Sequence, residues 1–200
     1  MKKIITISRE FGSGGRTIGK KLAKELNIAY YDKEMVKKIA DESGLSKSFI
    51  EEAGEYTPTG SKFLNRFSYF NQGIGDDYYS LNNEIYQRQY EFIKELAEKE
   101  PCVIVGRCAD YILRGRVDCI HVFIHAGLEF KARRIVELYG NTQDHPIKRL
   151  QDKDKRRALF YKDHTGRDWG VCDNYTLSLN SGELGINNCV KIIKQIYNEM

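Results

Sequence analysis

Residues 4–23 have the sequence IITISREFGSGGRTIGKKLA, an apolar run followed by a glycine-rich turn and a patterned segment. The β-branched run predicts a strand, and the spacing of Ile18, Leu22 and Leu26 predicts a helix with one apolar face. A strand, a glycine-rich loop and a helix bring backbone N–H groups and the positive end of the helix toward one point, where an anion binds. The stretch therefore predicts an anion-binding loop.

The loop differs at two positions from the phosphate-binding template G-x-x-x-x-G-K-[ST]. The best register places Gly15, Arg16 and Thr17 at the last three positions, so that an arginine replaces the lysine. Glu10 then stands where the first glycine belongs. A register ending in Lys20 is rejected, because it extends the loop into the apolar face of the helix. We expect the glycines to let the backbone approach phosphate oxygens, although a structural turn without a ligand is the alternative.

Composition and charge limit the class of protein. Two hundred residues with 41% hydrophobic content predict one domain with a single core. The formal charge of +4 suits a phosphate-bearing small molecule and is too weak to indicate a nucleic-acid surface. Five scattered cysteines without a C-x-x-C pair favour neither disulfides nor a zinc site. The apolar runs are too short for a signal peptide or a membrane helix, so we expect a cytoplasmic protein.

Strands alternate with helices along the chain, which predicts a parallel sheet with helices on both faces. After the first strand, the predicted strands are IAYYD, CVIVG, DCIHVFIHA and YTLSLN. Residues 53–83 interleave aromatic residues with Gly, Ser, Thr and Asn. We expect a mobile insertion there, with a small lobe packed by the aromatic residues as the alternative. A long amphipathic helix is expected to follow over residues 81–100. The charged stretch at about residues 145–170 is expected to form either a lid over bound phosphates or a solvated face.

The segment ITISREFGSGGRTIGKKLAKEL resembles the start of the bacterial cytidylate kinases, which are P-loop nucleoside-monophosphate kinases, and specifically their divergent cytidylate-kinase-like relatives. That family opens with an apolar strand, the loop G-P-S-G-A-G-K-G-T and a helix. Aligned without a gap, residues 12–14 match G-A-G and Thr17 matches the final threonine. Gly15 falls on the position of the family lysine, and the basic residue of this chain, Arg16, comes one place later.

Further segments resemble the other motifs of this family. YYDKEMVKK is similar to D-T-G-x-x-Y-R, with Asp32 at the aspartate and Lys38 at the arginine. CVIVGRC is similar to the strand leading to D-G-R-D, in which Arg107 matches while Val105 and Cys108 replace both aspartates. The remaining matches are the paired arginines Arg133 and Arg134, the lid spacing of Asp154 and Arg157, and the final strand LSLNS.

The resemblance implies a fold, an activity and a set of site residues. The implied fold is α/β, a three-layer P-loop kinase domain over residues 1–200, with a parallel sheet flanked by helices, a small helical acceptor-binding insertion at about 45–100 and a lid at about 145–170. The implied activity transfers the γ-phosphoryl group of ATP, with Mg²⁺, to CMP or dCMP. Small-molecule nucleotides are then the partners, without nucleic acid or membrane, and the oligomeric state is open. The implied roles are ATP binding by Gly12, Ser13, Gly14, Gly15, Arg16 and Thr17, Mg²⁺ ligation by Thr17, acceptor binding by Asp32, Lys38 and Arg107, and catalysis by Arg16, Arg149, Arg156 and Arg157.

Several points stay open at the level of the sequence. We expect Glu10 to form an ion pair with Arg9, Lys20 or an arginine of the lid, because an unpaired carboxylate would repel phosphate. Trp169 either stacks on a base or packs in the interior. Two other functions are possible for the same fold, a regulatory nucleotide-binding protein without efficient transfer and a P-loop kinase for another small acceptor.

Overall fold

A computed structural model describes residues 3–32, 74–142 and 144–200, with the side chains of residues 74–85 excepted. Lys38 and residues 45–73 of the predicted acceptor-binding insertion lie outside the described residues. Within the described part of the chain, no helix has the length and apolar character to cross a bilayer.

The centre of the fold is a parallel sheet, and five strands of the described residues form it. Their order across the sheet is β2-β3-β1-β4-β5, so the first strand is central. Ile5 of β1 pairs in register with Val103 of β3 and Ile120 of β4. The strands are β1 (Ile4–Arg9), β2 (Ala29–Tyr31), β3 (Cys102–Val105), β4 (Cys119–His125) and β5 (Leu177–Asn180).

Helices cover both faces of the sheet. They are α1 (Gly15–Leu26), α2 (Ile74–Lys99), α3 (Ala109–Ile112), α4 (Leu128–Tyr139), α5 (Pro146–Thr165), α6 (Ser181–Leu184) and α7 (Ile186–Glu199). One core packs the sheet against α1 and α7, and a second packs it against α2 and α3. The predicted three-layer α/β fold is confirmed.

The alternation of side chains along β1 produces these two cores. Successive residues of a strand point to opposite faces, so Ile5 and Ile7 belong to the core under α1, whereas Ile4 belongs to the core under α2. All six residues of β1 are buried, which is expected for a central strand covered on both faces. The full burial of Ile5 stabilises the fold by about 2 kcal/mol.

Two helices differ from the sequence-based expectation or extend it. Helix α2 is already present at Ile74, ahead of residue 81, so residues 74–80 of the predicted loose insertion are helical. The charged stretch predicted as a lid forms the single 20-residue helix α5. The C-terminal half of α5 is anchored by Phe160 and Tyr161, which pack on Tyr86 and Cys108. Its N-terminal half extends toward the glycine-rich loop, and its movement as a lid stays a prediction.

Candidate functional site

A cavity of about 390 Å³ lies at the carboxyl ends of β1, β2 and β3, beside the glycine-rich loop. Ligands of open parallel sheets bind at this edge. The lining is strongly cationic, since seven basic side chains face two carboxylates, and such a cavity attracts polyanions. The basic residues are Arg9, Arg16, Arg107, Arg134, Arg149, Lys153 and Arg157, and the acidic residues are Glu10 and Asp32.

The glycines of the loop are required by packing against the protein itself. Gly12 and Gly14 have φ values of 83° and 86°, which disfavour any other residue. A Cβ at Gly12 would lie 2.9 Å from the carbonyl oxygen of Lys131, and one at Gly14 would overlap Ile186. The approach of phosphate to these glycines stays a prediction. Their missing side chains make room for α4 and α7.

Ser13 supports the loop from behind the cavity. Its buried hydroxyl donates to the carbonyl oxygens of Glu10, at 2.9 Å, and Ile124, at 3.0 Å. Its own carbonyl accepts a hydrogen bond of 2.5 Å from the Ser181 hydroxyl. The Ser13 side chain is fully buried and does not line the cavity, so the structure gives it a supporting place in the predicted nucleotide loop.

The carboxylate of Glu10 is neutralised by a lysine. Its Oε2 lies 2.8 Å from Nζ of Lys131 and accepts a 3.1 Å hydrogen bond from the backbone N–H of Ala126. The expected ion pair is present, but its partner is Lys131 rather than Arg9, Lys20 or an arginine of the lid. Nζ of Lys131 also lies 3.8 Å from Oδ2 of Asp154, so one buried ammonium joins carboxylates from the loop and from α5.

Asp154 attaches α5 to the loop. Its Oδ1 accepts hydrogen bonds from the backbone N–H of Phe11, at 2.6 Å, and from Nη1 of Arg157, at 3.3 Å. Nη1 of Arg157 also donates to the carbonyl oxygen of Arg9 at 3.0 Å. Burial raises the pKa of Asp154 to about 6, although Arg157 and the Phe11 amide act in the opposite direction. The predicted lid helix is therefore bound to the loop by charge-assisted contacts.

Arg16 and Asp32, which were predicted to act in different roles, form an ion pair. Nε of Arg16 lies 2.5 Å from Oδ2 of Asp32, and the Tyr30 hydroxyl donates to the same carboxylate at 3.5 Å. Burial and the charge of Asp32 raise the pKa of Tyr30 to about 12, while the charges of Arg16 and Arg9 oppose that shift. The Arg16–Asp32 ion pair and the Tyr30 hydroxyl thus lie together where the loop meets the end of β2.

Thr17, the predicted Mg²⁺ ligand, lines the cavity at the first turn of α1. Its hydroxyl oxygen accepts a hydrogen bond of 2.8 Å from Nη2 of Arg134, which projects from α4. The threonine is therefore oriented by a neighbouring cation that also lines the cavity.

Arg107 enters the cavity through an unusual turn. Gly106, Arg107 and Cys108, which follow β3, have φ values of 80°, 59° and 53°. Left-handed backbone at a residue with a side chain costs roughly 1–2 kcal/mol, and such strain is concentrated at functional sites. The side chain of Arg107 is buried, and the turn directs it to the carboxyl edge of the sheet, as predicted.

The three predicted lid arginines have different positions on α5. Arg157 is buried in the cavity wall, and Arg149 lines the cavity while its Nη1 donates to the carbonyl oxygen of Gly140 at 3.2 Å. Arg156 is exposed and does not line the cavity. The structure therefore brings two of the three to the cavity.

The cytidylate kinase-like family model matches residues 4–183, which include all the described elements of this site except α7. The chain belongs to the cytidylate kinase-like family. The cytidylate kinase of Methanopyrus kandleri is 24% identical to it over 200 residues, covering 96% of this chain and 91% of the relative. The cytidylate kinase of Ignicoccus hospitalis is 23% identical over 194 residues, covering 96% of this chain and 98% of the relative.

Solved structures agree with this family in fold. An uncharacterized protein from Eubacterium ventriosum has a TM-score of 0.75 at 26% identity, and the match covers the whole of both chains. A shikimate kinase from Acinetobacter baumannii, solved in complex with shikimate, has a TM-score of 0.54 at 15% identity over 100% of this chain and 94% of the other. The cytidylate kinase-like chain therefore has the fold of the P-loop kinases.

Sequence reasoning missed several residues of this kinase-like site. Arg134 matched a family arginine but received no role, although it binds Thr17. Lys153 lies over the ring of Phe11, with Nζ 5.2 Å from the ring centre, and Tyr139 stacks on the same ring at 5.9 Å. The charge density of α5 was the signal for Lys153, but its spacing did not show which of its cations face inward.

Trp169 and Asp110 pack inside the kinase-like domain instead of lining the cavity. Nε1 of Trp169 donates to the Ser8 hydroxyl at 2.9 Å, and its ring contacts Phe123 edge to face at 5.3 Å. Asp110 accepts a 2.6 Å hydrogen bond from the Tyr161 hydroxyl, and burial raises its pKa to about 6. The packing alternative therefore describes Trp169.

Proposed function

We propose that this protein is a nucleoside-monophosphate kinase that transfers the γ-phosphoryl group of ATP to CMP or dCMP. The observation that carries the proposal is the cationic cavity beside a glycine-rich loop in a chain of the cytidylate kinase-like family. Seven basic side chains from four parts of the chain converge on a space of about 390 Å³. Two phosphorylated substrates bring more negative charge to one place than most small ligands do.

In the proposed reaction, the loop and the first turn of α1 bind the donor phosphates. The helix N-terminus and the side chains of Arg134, Arg149 and Arg157 provide positive charge on that side. The residues present fit a polyphosphate. Thr17 would hold Mg²⁺ together with donor phosphate oxygens and water, since Mg²⁺ retains several waters in such sites. When bound, Mg²⁺ neutralises charge that develops between the β- and γ-phosphates.

The acceptor phosphate is proposed to bind between Arg107 and the Arg16–Asp32 pair. Both lie at the carboxyl edge of the sheet, on the side of the cavity formed by β2 and β3. Asp32 fixes the direction of the Arg16 guanidinium, because a rigid ion pair restricts the rotamers of a long side chain. Lys38, predicted to contact the same phosphate, follows Asp32 by six residues.

The transfer itself requires positioning more than covalent chemistry from the protein. An oxygen of the acceptor phosphate forms a bond to the γ-phosphorus while the bond from that phosphorus to the bridging oxygen breaks. The acceptor oxygen is already anionic, so no side chain has to remove a proton. The arginines neutralise the moving phosphoryl group, and α5, bound to the loop through Asp154, excludes water from it.

One observation favours a different small acceptor as a second candidate. The family motif D-G-R-D implies carboxylates on both sides of the arginine, but Val105 and Cys108 stand there and both are buried. Asp110, the nearest carboxyl group in sequence, is 4% exposed and is bound by Tyr161. The carboxylates that the motif uses to recognise the base are therefore missing here. Their loss is expected in a P-loop kinase that acts on another small acceptor.

The test is ATP consumption with Mg²⁺ and CMP, dCMP, UMP, AMP or GMP, with binding of each nucleotide measured on the same sample. Turnover with CMP or dCMP supports the proposal. ATP binding with no turnover on any of the five favours another acceptor or a regulatory protein. A matched pair of variants on α5 checks the cavity, because Lys153 lines it whereas Lys155 is exposed. We expect Lys153→Ala to raise the KM for ATP and Lys155→Ala to leave it unchanged.

A further inference from the structure

The position that carries the lysine in the family loop is occupied by Gly15, and the structure shows what fills the space above it. Gly15 begins α1 and is not among the residues with positive φ, so its backbone does not require glycine. A Cβ placed there would lie 2.5 Å from Cβ and 2.9 Å from Cγ of Arg9. The Arg9 side chain therefore excludes any side chain at residue 15.

The placement of Arg9 follows from the strand that carries it. Arg9 is the last residue of β1, and the alternation of the strand puts it in the same row as Ile5 and Ile7, beneath α1. The aliphatic part of Arg9 continues that row under the first turn of the helix. The residue is 5% exposed and lines the cavity, so its charge is held at the end of the sheet where donor phosphates would bind.

Arg16, the other candidate for the missing cation, forms an ion pair with Asp32. Its Nε pairs with Asp32 at 2.5 Å, on the side of the cavity formed by β2. The negative charge of Asp32 offsets part of the attraction that the Arg16 guanidinium has for phosphate. The ion pair therefore weakens the expectation that Arg16 performs the role of the lysine.

We infer that Arg9 supplies the phosphate-binding cation of this loop, with Gly15 retained to let the arginine side chain pass. The cation thus comes from the strand before the loop instead of from the helix after it. The role expected for Arg16 is thereby reassigned to the acceptor side. The inference rests on the proposed function, because it assigns the residue that binds the donor's phosphates.

The test measures binding of inorganic tripolyphosphate, with Mg²⁺, by calorimetry. Arg9→Met keeps the aliphatic stem packed on Gly15 and removes the charge, so the fold is preserved. We expect it to weaken tripolyphosphate binding about 10- to 100-fold, since a charge-assisted contact is lost. Arg9→Lys should recover most of this loss. Lys24→Met, at an exposed position on α1, controls for the change in net charge and should bind like the wild type.

A double variant tests the geometry directly. Arg9→Gly removes the Cβ that blocks residue 15, and Gly15→Lys then places a lysine at the position of the family motif. We expect Arg9→Gly alone to bind tripolyphosphate weakly and the double variant to bind it at least about tenfold more tightly. A folded double variant that is no better than Arg9→Gly alone would overturn the inference. So would Arg9→Met binding at wild-type strength while Arg16→Met is weakened.

The same measurements separate this inference from the proposed function. Tripolyphosphate binding that depends on Arg9, with no turnover on any nucleoside monophosphate, refutes the proposed kinase activity and supports the role of Arg9. Turnover of CMP by an Arg9→Met variant at the wild-type rate supports the proposed kinase activity and refutes the role of Arg9. A wild-type protein that does not bind tripolyphosphate overturns both.

Discussion

Replacing Lys131 by Met should destabilise the protein strongly and in a pH-dependent way. Its ammonium lies 2.8 Å from Oε2 of Glu10 and 3.8 Å from Oδ2 of Asp154, and its side chain is 9% exposed. Methionine fills much of the same volume, so the main effect is the loss of charge between two carboxylates. Removing one partner of a buried ion pair costs about 3–5 kcal/mol. We expect about 3 kcal/mol at pH 7, because the carboxylates are partly exposed.

The pH dependence identifies the charge as the cause. Asp154 has a pKa of about 6 in the folded protein, so it is ionised at pH 7 and largely protonated at pH 5. Protonation removes one of the two charges that Lys131 neutralises. The loss caused by Lys131→Met should therefore be smaller at pH 5 than at pH 7.

Thermal unfolding followed by circular dichroism at both pH values provides the measurement. A loss of about 3 kcal/mol corresponds to a fall in Tm of roughly 6–12 °C for a domain of this size. Lys131→Arg keeps the charge and should retain most of the stability. Lys194→Met, which breaks a half-exposed pair with Glu25, is the surface control and should change Tm little. A fall of under about 2 °C at pH 7, or a larger fall at pH 5, would refute the reasoning.

Three other substitutions have definite expected outcomes. Arg107→Gly should be more stable than Arg107→Ala by about 1 kcal/mol, because glycine adopts the left-handed backbone of this position without strain. Both variants should raise the KM for the acceptor equally. Equal melting temperatures of the two variants would show that the backbone is not strained. Asp110 has a pKa raised to about 6 by burial, so it binds a proton more tightly when folded, and its contribution to stability falls as pH rises from about 4 to about 6. Asp110→Asn should remove that part of the wild-type decline in urea titrations across this range, and parallel curves would show that the group does not titrate there. Trp169→Phe should lower the free energy of unfolding by about 1 kcal/mol, because the hydrogen bond to Ser8 is lost, and should leave nucleotide affinity unchanged. Weaker nucleotide binding by this variant would instead support stacking of Trp169 on a base.

Local patterns were sufficient to predict most of the fold. The β-branched run before the glycines and the apolar spacing after them predict β1 and α1 closely, because both elements bury residues with a regular period. The helical structure of residues 74–80 was missed. These residues contain glycine and serine, which lowered their helix propensity in the sequence.

The sequence predicted many residues of the candidate site, but it did not predict which of them form ion pairs and hydrogen bonds with each other. Glu10 required a basic partner, but the sequence contains 32 lysines and arginines, and only the fold selects Lys131, which is 121 residues away. Arg16 and Asp32 were both expected at the site, yet nothing in their spacing shows that they neutralise each other. Arg134 reaches Thr17 across 117 residues. Pairings of this range depend on strand order, which local patterns do not encode.

The hydrogen bond from Ser181 to the carbonyl oxygen of Ser13 also determines when the loop is completed during protein synthesis. The two residues are 168 positions apart. At about 5–20 residues per second, a ribosome needs roughly 8–34 s to make Ser181 after it has made Ser13. During that interval the nascent chain contains all the glycines of the loop but none of the late contacts that hold them in place. The loop is therefore fully supported only after residue 181 has been made, and a chain released before that residue has the motif without these contacts.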